Sequence, residues 1–166
     1  MDAYTVLSTL VLLLSGWLAG AESASWALLQ PVVARLDDTP QIRMQQGMLR
    51  TFGRVMPILL PLTSVLIVLT AVVAPNGTPR VLWLVAAVAA AVLIAFTLAV
   101  NVPLNDQLKA AGDPDRIADL AAVRERFNEA RWVGWNLVRA IASTVAFGCL
   151  SWALVLYGRT VTPGGP

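Results

Sequence analysis

Four long apolar stretches constrain this chain more than any other feature of its sequence. They occupy residues 3–34, 55–79, 81–105 and 140–158. A single charge, Glu22, interrupts the first, and the other three carry none. Crossing the hydrocarbon core of a bilayer takes about 20 mainly apolar residues in a helix. The sequence therefore predicts an all-α fold, a four-helix transmembrane bundle that forms one domain over residues 1–166. The expected spans lie near residues 4–30, 55–75, 80–105 and 130–158.

Two polar connections lie between these spans, at residues 31–54 and 106–131. Both have a helical composition, so we expect amphipathic helical segments in each. The second and third spans are separated only by residues 75–79, a Pro-Asn-Gly-Thr-Pro sequence typical of a tight turn. These two spans are therefore predicted to form a helical hairpin.

The distribution of Lys and Arg predicts the orientation in the membrane. Of the 12 basic residues, nine lie in the two long connections. Only Arg80 and Arg159 lie on the opposite side. Because cytoplasmic loops are enriched in Lys and Arg, both connections should be cytoplasmic and both termini extracytoplasmic, in a bacterial-type cell membrane. The basic residues alternate with Asp and Glu and form no continuous patch, so no nucleic acid partner is expected.

The composition also excludes several classes of enzyme. Charged residues make up 13% of the chain, against about 25% in soluble domains. The chain has no histidine and one cysteine, Cys149, which excludes histidine-ligated metals, histidine-dependent triads and an intrachain disulfide. No metal site and no cofactor are expected from this set of residues.

Polar side chains within the spans are candidate functional residues, because each is costly in a membrane without a partner. Glu22 and Trp26 share one face of the first helix, and Trp132, Asn136 and Arg139 share one face of the fourth. The candidates predict a cavity that opens or is gated toward the cytoplasmic interface. The proposed catalytic residues are Glu22, Arg139, Asn101, Asn105 and Asn136. The proposed substrate-binding residues are Trp26, Trp132, Trp135, Arg50 and Arg54.

Structural interpretations of the same residues remain open from the sequence. Glu22 and Arg139 are also compatible with an ion pair that only fixes helix packing. Asn101 and Asn105 are compatible with interhelical hydrogen bonds. The arginines of the second helix are compatible with lipid-headgroup contacts, and Trp132 and Trp135 with interfacial anchors. A purely structural account must explain why these groups gather at one end of the bundle.

The second half of the chain resembles a known family. Residues 101–105 read Asn-Val-Pro-Leu-Asn, and residues 132–139 read Trp-Val-Gly-Trp-Asn-Leu-Val-Arg. This combination, over about residues 99–145, resembles the anthrone oxygenase-like family of small four-helix membrane proteins. The resemblance implies oxidation of an anthrone-type polyphenol by molecular oxygen, typically in polyketide pathways of secondary metabolism.

The residues present are compatible with such a reaction without a cofactor. Deprotonated phenols react with oxygen directly, and Glu22 is the one acid within an apolar span that could serve as the base. Arg139 and the three asparagines could stabilise the developing oxyanion. The expected partners are a lipophilic small-molecule substrate, membrane lipids and, in a homo-oligomer, further copies of the chain. The alternative function is a non-catalytic membrane protein that binds a quinone, a lipid or a pathway intermediate.

Overall fold

The structure of the chain, a computed structural model, describes residues 2–161. Within these residues it is helical and contains no strand, which confirms the predicted fold class. The helices are α1 (Ala3–Ala24), α2 (Gln30–Val33), α3 (Asp38–Val73), α4 (Thr78–Phe96), α5 (Val102–Ala110), α6 (Leu120–Phe127) and α7 (Glu129–Val161). Two π-helical turns, Ser25–Leu29 and Thr97–Asn101, join α1 to α2 and α4 to α5.

Joined in this way, the helices form four continuous helical segments that are long and apolar enough to cross a membrane, so the chain is an integral membrane protein. They form a four-helix bundle in which α7 packs against both α1 and α4, and α3 closes the ring against α4 and α1. Buried hydrophobic side chains are distributed along its whole length. Trp83 and Leu150 are buried near the termini, Leu60 and Leu93 near the middle, and Leu108 near the two long connections.

The first long connection is not a separate amphipathic segment. α3 begins at Asp38 and continues without a break to Val73, so most of residues 31–54 extend the second span. Pro40 lies in the first turn, where a missing N–H is tolerated. Leu49 and three glutamines on this extension are buried against the rest of the protein: Gln41, Gln45 and Gln46.

The second long connection is helical in pieces. α5 ends before Gly112, whose φ of 86° favours glycine. A short 3₁₀ turn (Pro114–Arg116) and α6 follow. α6 ends where Asn128 adopts a left-handed conformation with a φ of 49°, and α7 starts at the next residue. The connection therefore folds back over the bundle end and does not form one continuous helix with α7.

In both places a proline lies two residues after the last residue of the π-turn. Gln30 N–H bonds to the carbonyl of Ser25, and Val102 N–H bonds to that of Thr97, both five residues back. Pro31 and Pro103 follow and have no N–H to donate. The sequence predicts a kink at Pro103, and the structure accommodates the proline by widening the preceding turn.

Candidate functional site

A cavity of about 330 Å³ lies between α1, α3, α7 and a fourth long helical segment. This segment consists of α4, the π-turn Thr97–Asn101 and α5 and is called the α4–α5 rod. A volume of this size is within the range of small-molecule sites. Most of its wall is apolar, with Phe52, Met56 and Leu60 from α3 and Ile94 from α4. Polar side chains enter the wall from two sides: Glu22, Asn136 and Arg139 from α1 and α7, and Thr97, Asn105, Asp106 and Lys109 from the α4–α5 rod. The cavity therefore combines an apolar wall, mostly from α3, with polar groups from α1, α7 and the α4–α5 rod.

The polar wall is built around a buried ion pair. Arg139 on α7 donates from Nη2 to Oε1 of Glu22 on α1, and the two residues are 8% and 2% exposed. Both side chains line the cavity. Opposite charges that leave water together require a partner and further hydrogen bonds. Here α1 and α7 supply one charge each, which makes their packing and the electrostatics of the cavity interdependent.

A chain of hydrogen bonds extends from this ion pair along α7. The second guanidinium nitrogen of Arg139 donates to Oδ1 of Asn136 at 3.3 Å. The Asn136 amide donates to the carbonyl of Trp132 at 2.9 Å, and Trp132 Nε1 donates to Oδ1 of Asn105 at 2.6 Å. These five residues, counted from Glu22 to Asn105, all line the cavity. Asn136, held by the Trp132 backbone carbonyl, therefore orients the guanidinium, and Asn105 separately orients the Trp132 indole.

Some hydrogen-bonding capacity on this wall is left for a ligand. The Asn105 carbonyl oxygen is used by Trp132, while its amide N–H groups are donors on a residue that lines the cavity. Nε of Arg139 is buried without a protein partner. The Asn105 amide can bind an oxygen atom of a polar molecule in the cavity, whereas Arg139 Nε is enclosed by protein. No three Cys, Asp or Glu side chains within residues 2–161 come together as a candidate metal site.

Five of the sequence-predicted residues lie elsewhere. Asn101, in the π-turn between α4 and α5, is fully buried but does not line the cavity. Neither the oxygen nor the nitrogen of its side-chain amide has a hydrogen-bond partner in the described part of the protein. Trp135 stacks on Phe96 with ring centroids 4.3 Å apart. Trp26 is partly buried, and Arg50 and Arg54 are exposed, and none of these three lines the cavity.

The apolar wall on α3 was not predicted from the sequence. This wall consists of Met48, Phe52, Met56 and Leu60. From the sequence, apolar residues of a membrane span are as compatible with contact to lipid as with lining a cavity. Their helix carries one usable signal. Gly53, Pro57 and Pro61 are spaced four apart, share one helix face and also line the cavity.

A second, smaller cavity of about 20 Å³ lies toward the termini. Leu60 borders both cavities. The small one is lined by the hydroxyl-bearing residues Ser15, Thr63 and Ser143, and the hydroxyl groups of Ser15 and Thr63 have no protein partner. Buried polar atoms thus continue beyond the ion pair into the half of the bundle where the sequence predicts few.

Comparison with known proteins gives one match. The sequence profile of the family described as anthrone oxygenase matches residues 48–149, which is more than half of the chain. A search of curated proteins and a search of solved structures both find no match. The matched segment contains most of the apolar wall and the polar side chains of α5 and α7, whereas Glu22 lies before it. By this match, the chain belongs to the anthrone oxygenase family.

Proposed function

We propose that the protein is a membrane-embedded, cofactor-independent oxygenase that oxidises a lipophilic polyphenol, such as an anthrone, with molecular oxygen. Membership of the family supports the reaction class. The observation that carries the proposal is the buried Glu22–Arg139 pair on the wall of a largely apolar cavity. The pair supports the proposal because a carboxylate can act as the base and a guanidinium can stabilise the anion that oxygen then oxidises.

The proposed reaction starts with proton transfer. Glu22 accepts a proton from the acidic C–H of the substrate methylene, and its carboxylate becomes neutral. Arg139 then loses its anionic partner and pairs with the enolate oxygen that has formed. Asn105 donates a further hydrogen bond to this oxyanion. The charge of the guanidinium is therefore balanced before and after the step.

The electron-rich enolate then reduces molecular oxygen. One oxygen atom forms a bond with the former methylene carbon, and cleavage of the O–O bond gives the new carbonyl. The second oxygen atom leaves as water with the two hydrogens that the methylene has lost. An anthrone and one O₂ thus yield one anthraquinone and one water. In the polyketide pathways that the family resemblance implies, this converts a reduced aromatic intermediate into a quinone.

Replacement of Glu22 by Gln tests this assignment. The variant keeps the shape of the side chain but removes the base, so oxygen consumption with anthrone should fall by about 10²–10⁴-fold. Glu125→Gln is a matched control, because Glu125 is exposed on α6 and does not line the cavity. Full activity of Glu22→Gln would refute the role of Glu22. Ligand that co-purifies with wild-type protein, without turnover of any anthrone, would favour a binding protein instead.

We also propose that the ion pair lies in the cytoplasmic half of the membrane. The two long connections carry nine of the 12 basic residues, and the cavity reaches Asp106 and Lys109 at the start of one of them. The positive-inside rule then assigns this end to the cytoplasm and both termini to the opposite side.

A further inference from the structure

Exposed residues line the cavity in two chemically different places. One is a lateral opening, bordered by Gly53, Pro57 and Pro61 on α3 and by Leu98 and Val102 on the α4–α5 rod. All five residues line the cavity and are also exposed on the outside of the bundle. The other lies at the end with the long connections, where Asp106 and Lys109 line the cavity.

The lateral opening is apolar and lies between two membrane-spanning helices. Leu98 and Val102 are 63% and 37% exposed, within an uncharged run of the α4–α5 rod. On the facing helix, Gly53 has no side chain, and the rings of Pro57 and Pro61 are compact. A gap therefore remains between the helices, and in a membrane acyl chains are the solvent that reaches it.

The opening at the other end is charged. Lys109 Nζ and Asp106 Oδ1 form an ion pair at 2.7 Å, one turn apart on α5. A lipophilic molecule that passed this point would have to displace the water around both charges, which is unfavourable. The two openings thus favour different ligands. The apolar lateral opening favours a molecule that is already dissolved in lipid.

We infer that the cavity receives its ligand laterally from the bilayer, through the opening between Gly53, Pro57 and Pro61 on α3 and Leu98 and Val102 on the α4–α5 rod. The inference rests on the proposed function only in taking the ligand to be a lipophilic aromatic molecule. Such a molecule meets the apolar wall first. Glu22 and Arg139 lie on the α1–α7 wall, opposite the lateral opening, so the ligand enters with its hydroxyl or carbonyl edge leading.

Both helices beside the opening are irregular at this depth. Pro57 and Pro61 cannot donate to the carbonyls one turn before them, and the π-turn Thr97–Asn101 interrupts the facing rod. Helices bend most readily at such positions. The opening therefore lies where the two helices can separate to admit a flat ring system without disturbing the α1–α7 pair.

Photolabelling in lipid vesicles tests the route. The protein is reconstituted in phosphatidylcholine vesicles that contain 3-(trifluoromethyl)-3-phenyldiazirine, an apolar aromatic probe, and adducts are mapped by mass spectrometry after illumination. The wild-type chain should be labelled at Leu60 and Trp132, which line the cavity and are each 4% exposed. It should also be labelled at Val88, a lipid-facing residue of α4 that is 65% exposed.

Gly53→Phe should abolish labelling of Leu60 and Trp132 and leave Val88 unchanged. A Cβ at Gly53 meets no atom within 4 Å, so a side chain can extend across the opening without a backbone clash. Gly47→Phe is the matched control, because Gly47 lies on the same helix, is equally free of neighbours and does not line the cavity. Leu98→Trp is a second blocking variant, and Val88 labelling reports that each variant is folded in the membrane.

Three results would overturn the inference. They are absence of label at Leu60 and Trp132 in the wild type, persistence of that label in both blocking variants, and equal labelling of these residues by a sulfonated, water-soluble diazirine. The readout requires no turnover. An inactive protein with the predicted labelling would refute the oxygenase proposal alone, and an active protein without it would refute the lateral route alone.

Discussion

The Glu22–Arg139 pair is the residue-scale feature on which both structure and proposed chemistry depend. Each partner is buried, and each belongs to a different helix. Removing one charge from a buried pair is far more damaging than removing both, because the remaining charge stays buried without compensation. The same pair is therefore expected to stabilise the α1–α7 contact and to supply the base.

Arg139→Met should destabilise the protein by about 3–5 kcal/mol, because Glu22 is left as a buried charge. The double variant Glu22→Met/Arg139→Met should recover most of this loss, since an apolar pair replaces the ionic one. Unfolding in mixed micelles with increasing SDS, followed by far-UV circular dichroism, measures both variants. Equal stability of Arg139→Met and wild type would show that the pair does not hold the helices together.

The sequence identified the polar and ionisable residues of the site, because such residues are rare in membrane spans. It missed the apolar residues that line the cavity. Glu22 and Arg139 are ionisable groups in apolar surroundings, and the structure brings them together. Asn101 is as conspicuous but does not line the cavity, although Thr97 and Asn105 do. Thr97, Asn101 and Asn105 are four residues apart, which would put them on one face of a regular α-helix, but the π-turn Thr97–Asn101 changes the angle between successive side chains. Hydrophobic periodicity alone does not reveal such a turn.

At the scale of elements, Asp2 connects the two ends of the chain. Its carboxylate accepts from the Thr5 backbone N–H at 2.7 Å, which caps α1, and from the Tyr157 hydroxyl at 2.6 Å near the end of α7. These hydrogen bonds, that of Tyr157 above all, lower the pKa of Asp2 from 3.8 to about 2. The contact is exposed, so water and salt weaken it.

The contribution of Asp2 to stability should depend on pH in a defined direction. Because folding lowers the pKa of Asp2, the contact stabilises the fold fully above the ordinary value of 3.8 and is lost as the pH falls to about 2. Asp2→Asn keeps a capping side chain without the charge. Thermal unfolding in detergent over this pH range should show a smaller acid-dependent loss for Asp2→Asn than for wild type. Identical pH profiles would exclude the charge of Asp2 as a contributor.

Gln46 connects α3 to the end of α5. Its side-chain amide donates to the carbonyls of Leu108 and Gly112 at 2.9 and 3.0 Å, at the C-terminal end of α5, where, among the described residues, the one backbone donor to Leu108 is Ala111 N–H at 3.3 Å. Gln46→Met keeps the volume and removes both hydrogen bonds, so we expect a loss of about 1–3 kcal/mol. Amide hydrogen exchange should accelerate in residues 108–127. Gln107→Met, at an exposed position one residue before Leu108, is the control and should leave exchange unchanged.

The helical elements were largely predictable, and their ends were not. Uncharged runs of sufficient length gave the four membrane-spanning rods. The buried glutamines of α3 were missed, because Gln41, Gln45 and Gln46 read from sequence as a solvated face in a polar connection. Their burial depends on α5 and α6 folding back over the bundle end, a tertiary contact that local periodicity does not encode.

The two ends of the bundle contain different types of residue. One end holds the long connections, most of the basic residues and the cavity. The other holds an aromatic cluster in which Tyr4 contacts the rings of Trp83 and Tyr157, and Trp83 Nε1 donates to the Tyr4 hydroxyl at 2.8 Å. Tyr and Trp concentrate at membrane interfaces, and Lys and Arg on the cytoplasmic side. The distribution of the basic residues therefore predicts which end faces which compartment.

Cysteine accessibility in intact cells measures this orientation. In a Cys149→Ser background, Asn76→Cys lies in the exposed turn between α3 and α4, and Ala118→Cys lies in the exposed connection before α6. With both termini extracytoplasmic, a membrane-impermeant maleimide should label Asn76→Cys in intact cells and Ala118→Cys only after lysis. The reverse pattern would place the connections outside, against nine of the 12 basic residues. It would also move Glu22, Arg139 and the charged opening at Asp106 and Lys109 to the extracytoplasmic half of the membrane, while the lateral route from the bilayer would remain.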